Sequence, residues 1–169
     1  MTATRLSRIP VVLALLLAAA GPSAARIMKA WSYDGLIAES DVVAIVESVE
    51  NVPAKDIAPF ASDNRPSTDF AATNTRFRVA AMLKENGEPF AELTVLHFNY
   101  ARSFPHVNGA NFIRFPITET TRAINALRTP VWLAFLKRRE DGRFEPVTGH
   151  YDSALSFREL HRPPSHRSP

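Results

Sequence analysis

Two stretches of the chain carry the apolar patterns that are typical of β-strands. Within residues 74–84, every second position is apolar, namely Phe77, Val79, Ala81 and Leu83. Most positions between them are basic or small. This period of two predicts a strand with one buried face and one solvated face.

The second stretch, residues 130–151, predicts a β-hairpin. Val131–Leu136 is an unbroken apolar run, rich in β-branched and aromatic residues, and is long enough for one strand. Asp141 and Gly142 then form a strong hairpin signal, because glycine tolerates the positive φ of a type I′ turn. Residues 143–148 then form the returning arm of the hairpin. We expect Leu133 and Phe135 to face the interior, and Trp132 to cover the other side.

Further elements follow from shorter patterns. Residues 41–51 predict a central strand, which Pro53 ends. Residues 92–100 predict another strand, with two competing apolar faces that would be compatible with a bulge. Asp34 is a candidate N-cap for a short helix ending near Ser40.

Residues 118–127 predict a helix, because Thr118 can cap it and Ala123, Ile124 and Leu127 form an apolar stripe. This helix lies between the third and fourth predicted strands, and that position indicates the fold class. The order predicts a mainly β domain, a five-stranded OB-fold-like Greek-key barrel with one or two short helices. A small antiparallel β-sandwich is the alternative.

Two long connections, residues 52–73 and 101–117, interrupt these elements. Long loops are often either functional or mobile. The second connection contains the aromatic anchors Phe104, Phe112 and Phe115. Anchored loops present their other side chains in a fixed geometry, which lowers the entropy lost on binding. The predicted binding residues are therefore the polar ones of this connection: Arg102, His106, Asn108 and Arg114.

The first residues of the chain predict export. Residues 1–25 read as a signal peptide, with a basic start, an apolar run of about a dozen residues and a small-residue cleavage site after Ala25. Residues 26–160 form the single predicted domain, and the polar, Pro-rich residues 161–169 a disordered tail. We expect a periplasmic or extracellular protein without a membrane span after cleavage.

Charge and cysteine content exclude several classes of function. The formal charge of +3 includes Arg5 and Arg8 of the leader, so the mature chain is close to neutral. A near-neutral exported domain is not expected to bind nucleic acid. The absence of cysteine excludes disulfides, cysteine-based zinc sites and a cysteine nucleophile.

Histidines are the remaining candidates for chemistry. The spacing of His97, His106, His150 and His161 is irregular and matches no metal motif, so neither a metal nor a cofactor is predicted. Asp152 stands close to His150 in sequence. A hydrolase site at this pair is an alternative hypothesis, although adjacency in sequence does not define a catalytic triad.

Several segments resemble a group of small exported proteins of planctomycetes and related bacteria. They are WSYDGLIAESDVVAIVESVE, TRFRVAAMLKENG, LTVLHF, VNGANFIRF and VWLAFLKRREDGRFEPVTGHYDSALSFREL. The resemblance implies a fold and a compartment but no reaction. More remotely, the chain is similar to the netrin-like OB-type domain of tissue inhibitors of metalloproteinases. Those inhibitors chelate zinc through an N-terminal cysteine, which this chain lacks.

Three functions remain open at this point. The leading hypothesis is a binding or accessory module that meets a protein or an envelope component through its long loops. The second is a hydrolase near His150 and Asp152. The third is a structural component of the envelope.

Overall fold

Five strands of the computed structural model close into a barrel. The structure describes residues 29–61, 67–85, 87–102, 109–115 and 130–160. The predicted signal peptide, the helix at 118–127 and the tail at 161–169 lie outside these residues.

The described elements are short helices and six strands. Helix α1 spans Tyr33–Glu39, and two 3-10 helices span Ser67–Asp69 and His150–Ser156. The strands are β1 (Val42–Pro53), β2 (Phe70–Glu85), β3 (Glu92–Tyr100), β4 (Val131–Arg138), β5 (Phe144–Pro146) and β6 (Phe157–Leu160). No helix among the described residues is long and apolar enough to cross a membrane.

The strand order defines the barrel. The sheet runs β1-β2-β3-β5-β4, and a further pairing of β1 with β4 closes it. All these pairings are antiparallel except that of β3 with β5, which is parallel at Val95 and Phe144. The prediction of a mainly β, OB-fold-like barrel is confirmed. Strand β6 was not predicted; it pairs with β4 outside the barrel.

Strand β4 is buried on both faces, and its predicted orientation was wrong. Trp132, Ala134 and Leu136 point into the main core, together with residues from all the other barrel strands. Phe135 points outwards and packs under α1, where it contacts a separate small cluster. An unbroken apolar run shows that both faces are covered but not which face is inside.

The alternation predicted for β2 fails near its end. Leu83 is 58% exposed, whereas Met82 packs against the main core. The pairing with β1 shifts just before this point: Ile45 faces Ala81, but the next residue of β1 faces Val79. The extra residue in β2 is a bulge, which reverses the facing of the side chains beyond it.

Strand β3 has two buried faces, which explains its two competing apolar sets. Leu93 and Val95 belong to the barrel core, whereas Leu96 and Phe98 belong to a second cluster on the outer face. Its register against β2 is regular, without the bulge that the sequence suggested.

Two local predictions need correction. Ser32, rather than Asp34, caps helix α1, because its Oγ accepts the Gly35 N–H at 3.1 Å. The β4–β5 hairpin lies where predicted, but its turn is not the two-residue type I′. The Gly142 N–H donates to the Arg139 carbonyl, and the Arg139 N–H donates to the Arg143 carbonyl. With φ of 81° at Gly142, this pattern is that of a three-residue loop.

Candidate binding cleft

A cleft of about 410 Å³ lies where β1 ends, β2 begins and β3 ends. Its lining comes from these three strands and from the second long connection: Asn51, Pro53, Ala71, Ala72, Thr73, His97, Asn99, Arg114 and Phe115. The register of the sheet brings the strand residues together, because Thr73 of β2 lies opposite Pro53 of β1 and opposite His97 of β3.

The cleft exists because three strands extend past the closed part of the barrel. Strand β4 pairs with β1 only as far as Glu47, and β5 meets β3 only at Val95. Beyond these points no described strand lies opposite the inward face of the sheet. Phe115 lies on this face, 4% exposed, with its ring 4.8 Å from that of Phe77.

A chain of hydrogen bonds crosses the cleft wall. Asn51 donates through Nδ2 to the Phe115 carbonyl at 3.1 Å, so its Oδ1 is left as an acceptor. The Thr75 hydroxyl lies 2.5 Å from that oxygen and must donate to it. Thr75 Oγ1 then accepts from His97 Nε2 at 2.7 Å. The geometry therefore requires the Nε2–H tautomer of His97.

The same tautomer leaves His97 Nδ1 as an acceptor. Asn99 Nδ2 lies 3.4 Å away and donates to it. His97 is 1% exposed, and burial, with a smaller repulsion from His150, lowers its pKa from 6.5 to about 4. The imidazole is therefore neutral at pH 7 and serves as a structural link between β2 and β3.

Arg114 supplies the positive charge of the cleft. It is exposed, and no carboxylate of the described residues pairs with it. The other lining residues are neutral at pH 7, since His97 is neutral and neither Asp nor Glu is among them. Among the described residues, the cleft wall therefore carries one available cation.

The structure describes two of the four predicted binding residues and brings one of these two to the cleft. Arg114 lines it, whereas Arg102 is exposed just after β3 and is not among the lining residues. His106 and Asn108 lie outside the described residues. Asn51 and Asn99 also line the cleft, and neither was predicted as a binding residue. The sequence contains one signal for them: each is a polar residue at a position where the inward face of its strand continues.

Between Pro53 and the start of β2, the described residues of the first long connection do not line the cleft but cover the outer face of β2 and β3. Its centre is Phe60, whose ring packs edge-on against Phe70 at 4.8 Å and Phe98 at 5.6 Å. The predicted loop is also shorter than expected, because residues 70–73 already belong to β2.

Ion pairs link the side chains of the hairpin, and they extend into a longer network. Arg139 pairs with Asp141 and Glu145, and Arg143 pairs with Asp141. Arg143 also reaches Asp56 in the first connection. These contacts lower the pKa of the Asp56 and Asp141 carboxyls, chiefly through hydrogen bonds from Arg143.

Around His150 the structure shows a packed environment. His150 Nε2 lies 3.1 Å from Glu145, and its ring packs edge-on against Phe98 at 4.9 Å. The hydrogen bond to His150 is the main cause that lowers the pKa of Glu145. Ser153 is fully buried, and its Oγ accepts the Ile113 N–H. No group of three or more potential metal ligands occurs among the described residues.

The arrangement can hold a small molecule between apolar walls, with one cation and several amide groups for orientation. Comparisons with protein-family models, curated proteins and solved structures found no match to this chain.

Proposed function

We propose that the chain is an exported binding or accessory module, and that its ligand or partner meets it at the cleft beside Arg114. The observation that carries this proposal is the fixed backbone of residues 109–115. The Ala110 N–H donates to Tyr100 Oη at 2.7 Å, and the Asn111 N–H donates to the Tyr151 carbonyl at 3.0 Å. The segment is therefore held before a ligand arrives.

Two further contacts fix the same segment. The Ile113 N–H donates to Ser153 Oγ at 3.0 Å, and Asn51 holds the Phe115 carbonyl. Ile113 and Phe115 are buried, whereas Arg114 between them is exposed. A side chain on a backbone that is already ordered loses less conformational entropy on binding. This supports a binding role for Arg114.

Affinity capture from the envelope fraction of the producing cell tests the proposal. The mature protein should capture a specific ligand or partner, and Arg114→Glu should abolish capture. Arg78→Glu is the matched control, because Arg78 is an exposed arginine on the outer face of β2, away from the cleft lining. It should capture normally.

Equal capture by wild type and Arg114→Glu would contradict the proposed site. The Lys55→Glu variant would then report on the first long connection, where Lys55 is exposed. Circular dichroism of each variant checks that it is folded.

A further inference from the structure

The composition of the cleft points to a chemical class of ligand. We infer that it takes a small organic monocarboxylate with an apolar body and a neighbouring N–H or O–H donor. This inference rests on the proposed function and names the ligand of the same site.

The carboxylate follows from the charge of the lining. Among the described residues of the lining, Arg114 is the single cation and none is acidic. An arginine binds a carboxylate through two parallel hydrogen bonds. A ligand with several phosphates would require more than one cation, so one arginine fits one negative charge.

The N–H or O–H donor of the ligand is inferred from the side chain of Asn99. Its Nδ2 is directed at His97 Nδ1, so its Oδ1 is the free acceptor of the amide. That oxygen is buried and has no hydrogen-bond partner among the described residues. Buried acceptors are normally satisfied. A ligand N–H or O–H in the cleft would satisfy this one.

The apolar body of the ligand is inferred from the apolar residues that line the rest of the cleft. Pro53, Ala71, Ala72 and Phe115 contribute apolar surface, and the cleft volume is about 410 Å³. Sites for small organic molecules are of this size and are mostly apolar, with a few polar groups that orient the ligand. The three requirements together describe molecules such as N-acylated apolar amino acids.

Isothermal titration calorimetry with three related probes tests the inference. N-acetyl-leucine has the carboxylate, the N–H donor and the apolar body. N-acetyl-leucinamide lacks the charge, and 4-methylpentanoate lacks the donor. We expect N-acetyl-leucine to bind at least about tenfold more tightly than either, since each probe loses one directed interaction.

Two variants assign the interactions to residues. Arg114→Gln should weaken N-acetyl-leucine binding about tenfold or more, whereas Arg78→Gln should leave it unchanged. Asn99→Ala should remove the preference for N-acetyl-leucine over 4-methylpentanoate while retaining the preference for a charged probe. A ratio of affinities measured on one variant is insensitive to a general loss of stability.

Absence of N-acetyl-leucine binding at about 10 mM would overturn the inference, as would equal binding of its amide. Binding that Arg78→Gln weakens as much as Arg114→Gln would overturn it too. These results leave the proposed function separately testable. If capture from the envelope still depends on Arg114, the binding module stands and only the ligand class is wrong.

Discussion

The guanidinium of Arg143 donates to both carboxylate oxygens of Asp56, at 2.9 and 2.7 Å. The two residues are 87 positions apart in sequence, and their side chains are only 23% and 25% exposed. This bidentate pair ties the first long connection to the β4–β5 hairpin. Arg143 also donates to Asn74 Oδ1 of β2, so one side chain joins three parts of the fold.

The first prediction is that breaking this pair loosens the first connection. Asp56→Asn should lower the free energy of unfolding by about 1–2 kcal/mol, because a partly buried, charge-assisted contact is lost. Urea unfolding measures the loss, and limited proteolysis should show faster cleavage within residues 54–61. Glu50→Gln removes a pair with Arg76 that is about half exposed and serves as the control. Its effect should stay below about 0.5 kcal/mol. Identical behaviour of the two variants would contradict the role of Arg143 as a tie.

The second prediction concerns Phe135, whose burial the sequence predicted although its direction was wrong. Phe135 is 1% exposed beneath α1, and Phe135→Ala should lower the free energy of unfolding by about 3–5 kcal/mol. Arg139→Ala should lower it by about 1 kcal/mol or less, because its side chain is 28% exposed and its ion pairs are partly solvated. Equal melting shifts for the two variants would show that the β4 side chains are misplaced.

Sequence periodicity predicted the elements better than their orientation. The barrel strands were all located because each combines apolar residues with a turn signal. Leu83 and Phe135 show the limit. A single bulge reverses Leu83, and a strand covered on both faces gives no preferred direction for Phe135. Both outcomes depend on neighbouring strands, which a local pattern does not contain.

The candidate site was harder to predict than the fold. Arg114 was identified because it stands between apolar anchors on a long connection. Asn51 and Asn99 lie 48 residues apart and meet the same cleft only because β2 lies between their strands. The network of Asp56 and Arg143 was missed for the same reason. Contacts across the sheet require the topology, which the sequence alone left open between a barrel and a sandwich.

The third prediction uses the hairpin glycine. Gly142 has φ of 81°, and a Cβ added there would meet nothing within 4 Å. Gly142→Ala should therefore destabilise through backbone strain alone, by about 1–2 kcal/mol. Gly142→Asn should cost less, since asparagine adopts this conformation more readily. Thermal unfolding of both variants tests this. An alanine variant as stable as wild type would be inconsistent with the left-handed conformation.

The fourth prediction is the proposed export of the chain. If residues 1–25 are a signal peptide, N-terminal sequencing of the exported protein should begin at Arg26. Replacing two leucines of the apolar run, Leu15 and Leu16, with arginine should retain the protein inside the cell, because the run would no longer be apolar. Intact Met1 on soluble cytoplasmic wild-type protein would refute export.

The last prediction is a pH dependence of stability caused by His97. Its pKa in the folded state is about 4, against an ordinary value of 6.5. Above pH 6.5 the imidazole is neutral in both folded and unfolded chains, so stability is complete. Between pH 6.5 and about 4 the unfolded chain binds the proton and the folded one does not, so the free energy of unfolding falls as pH falls. The slope approaches about 1.4 kcal/mol per pH unit.

Urea unfolding from pH 7 to 5 isolates this effect, because the lowered carboxyl pKa values of Asp56 and Glu145 act at lower pH. His97→Gln is the matched variant, since its amide can still donate to Thr75 but does not titrate. Its unfolding free energy should be nearly constant over this interval, while that of wild type falls by about 1–2 kcal/mol. Parallel curves for the two proteins would mean that His97 titrates normally and that its burial does not hold it neutral.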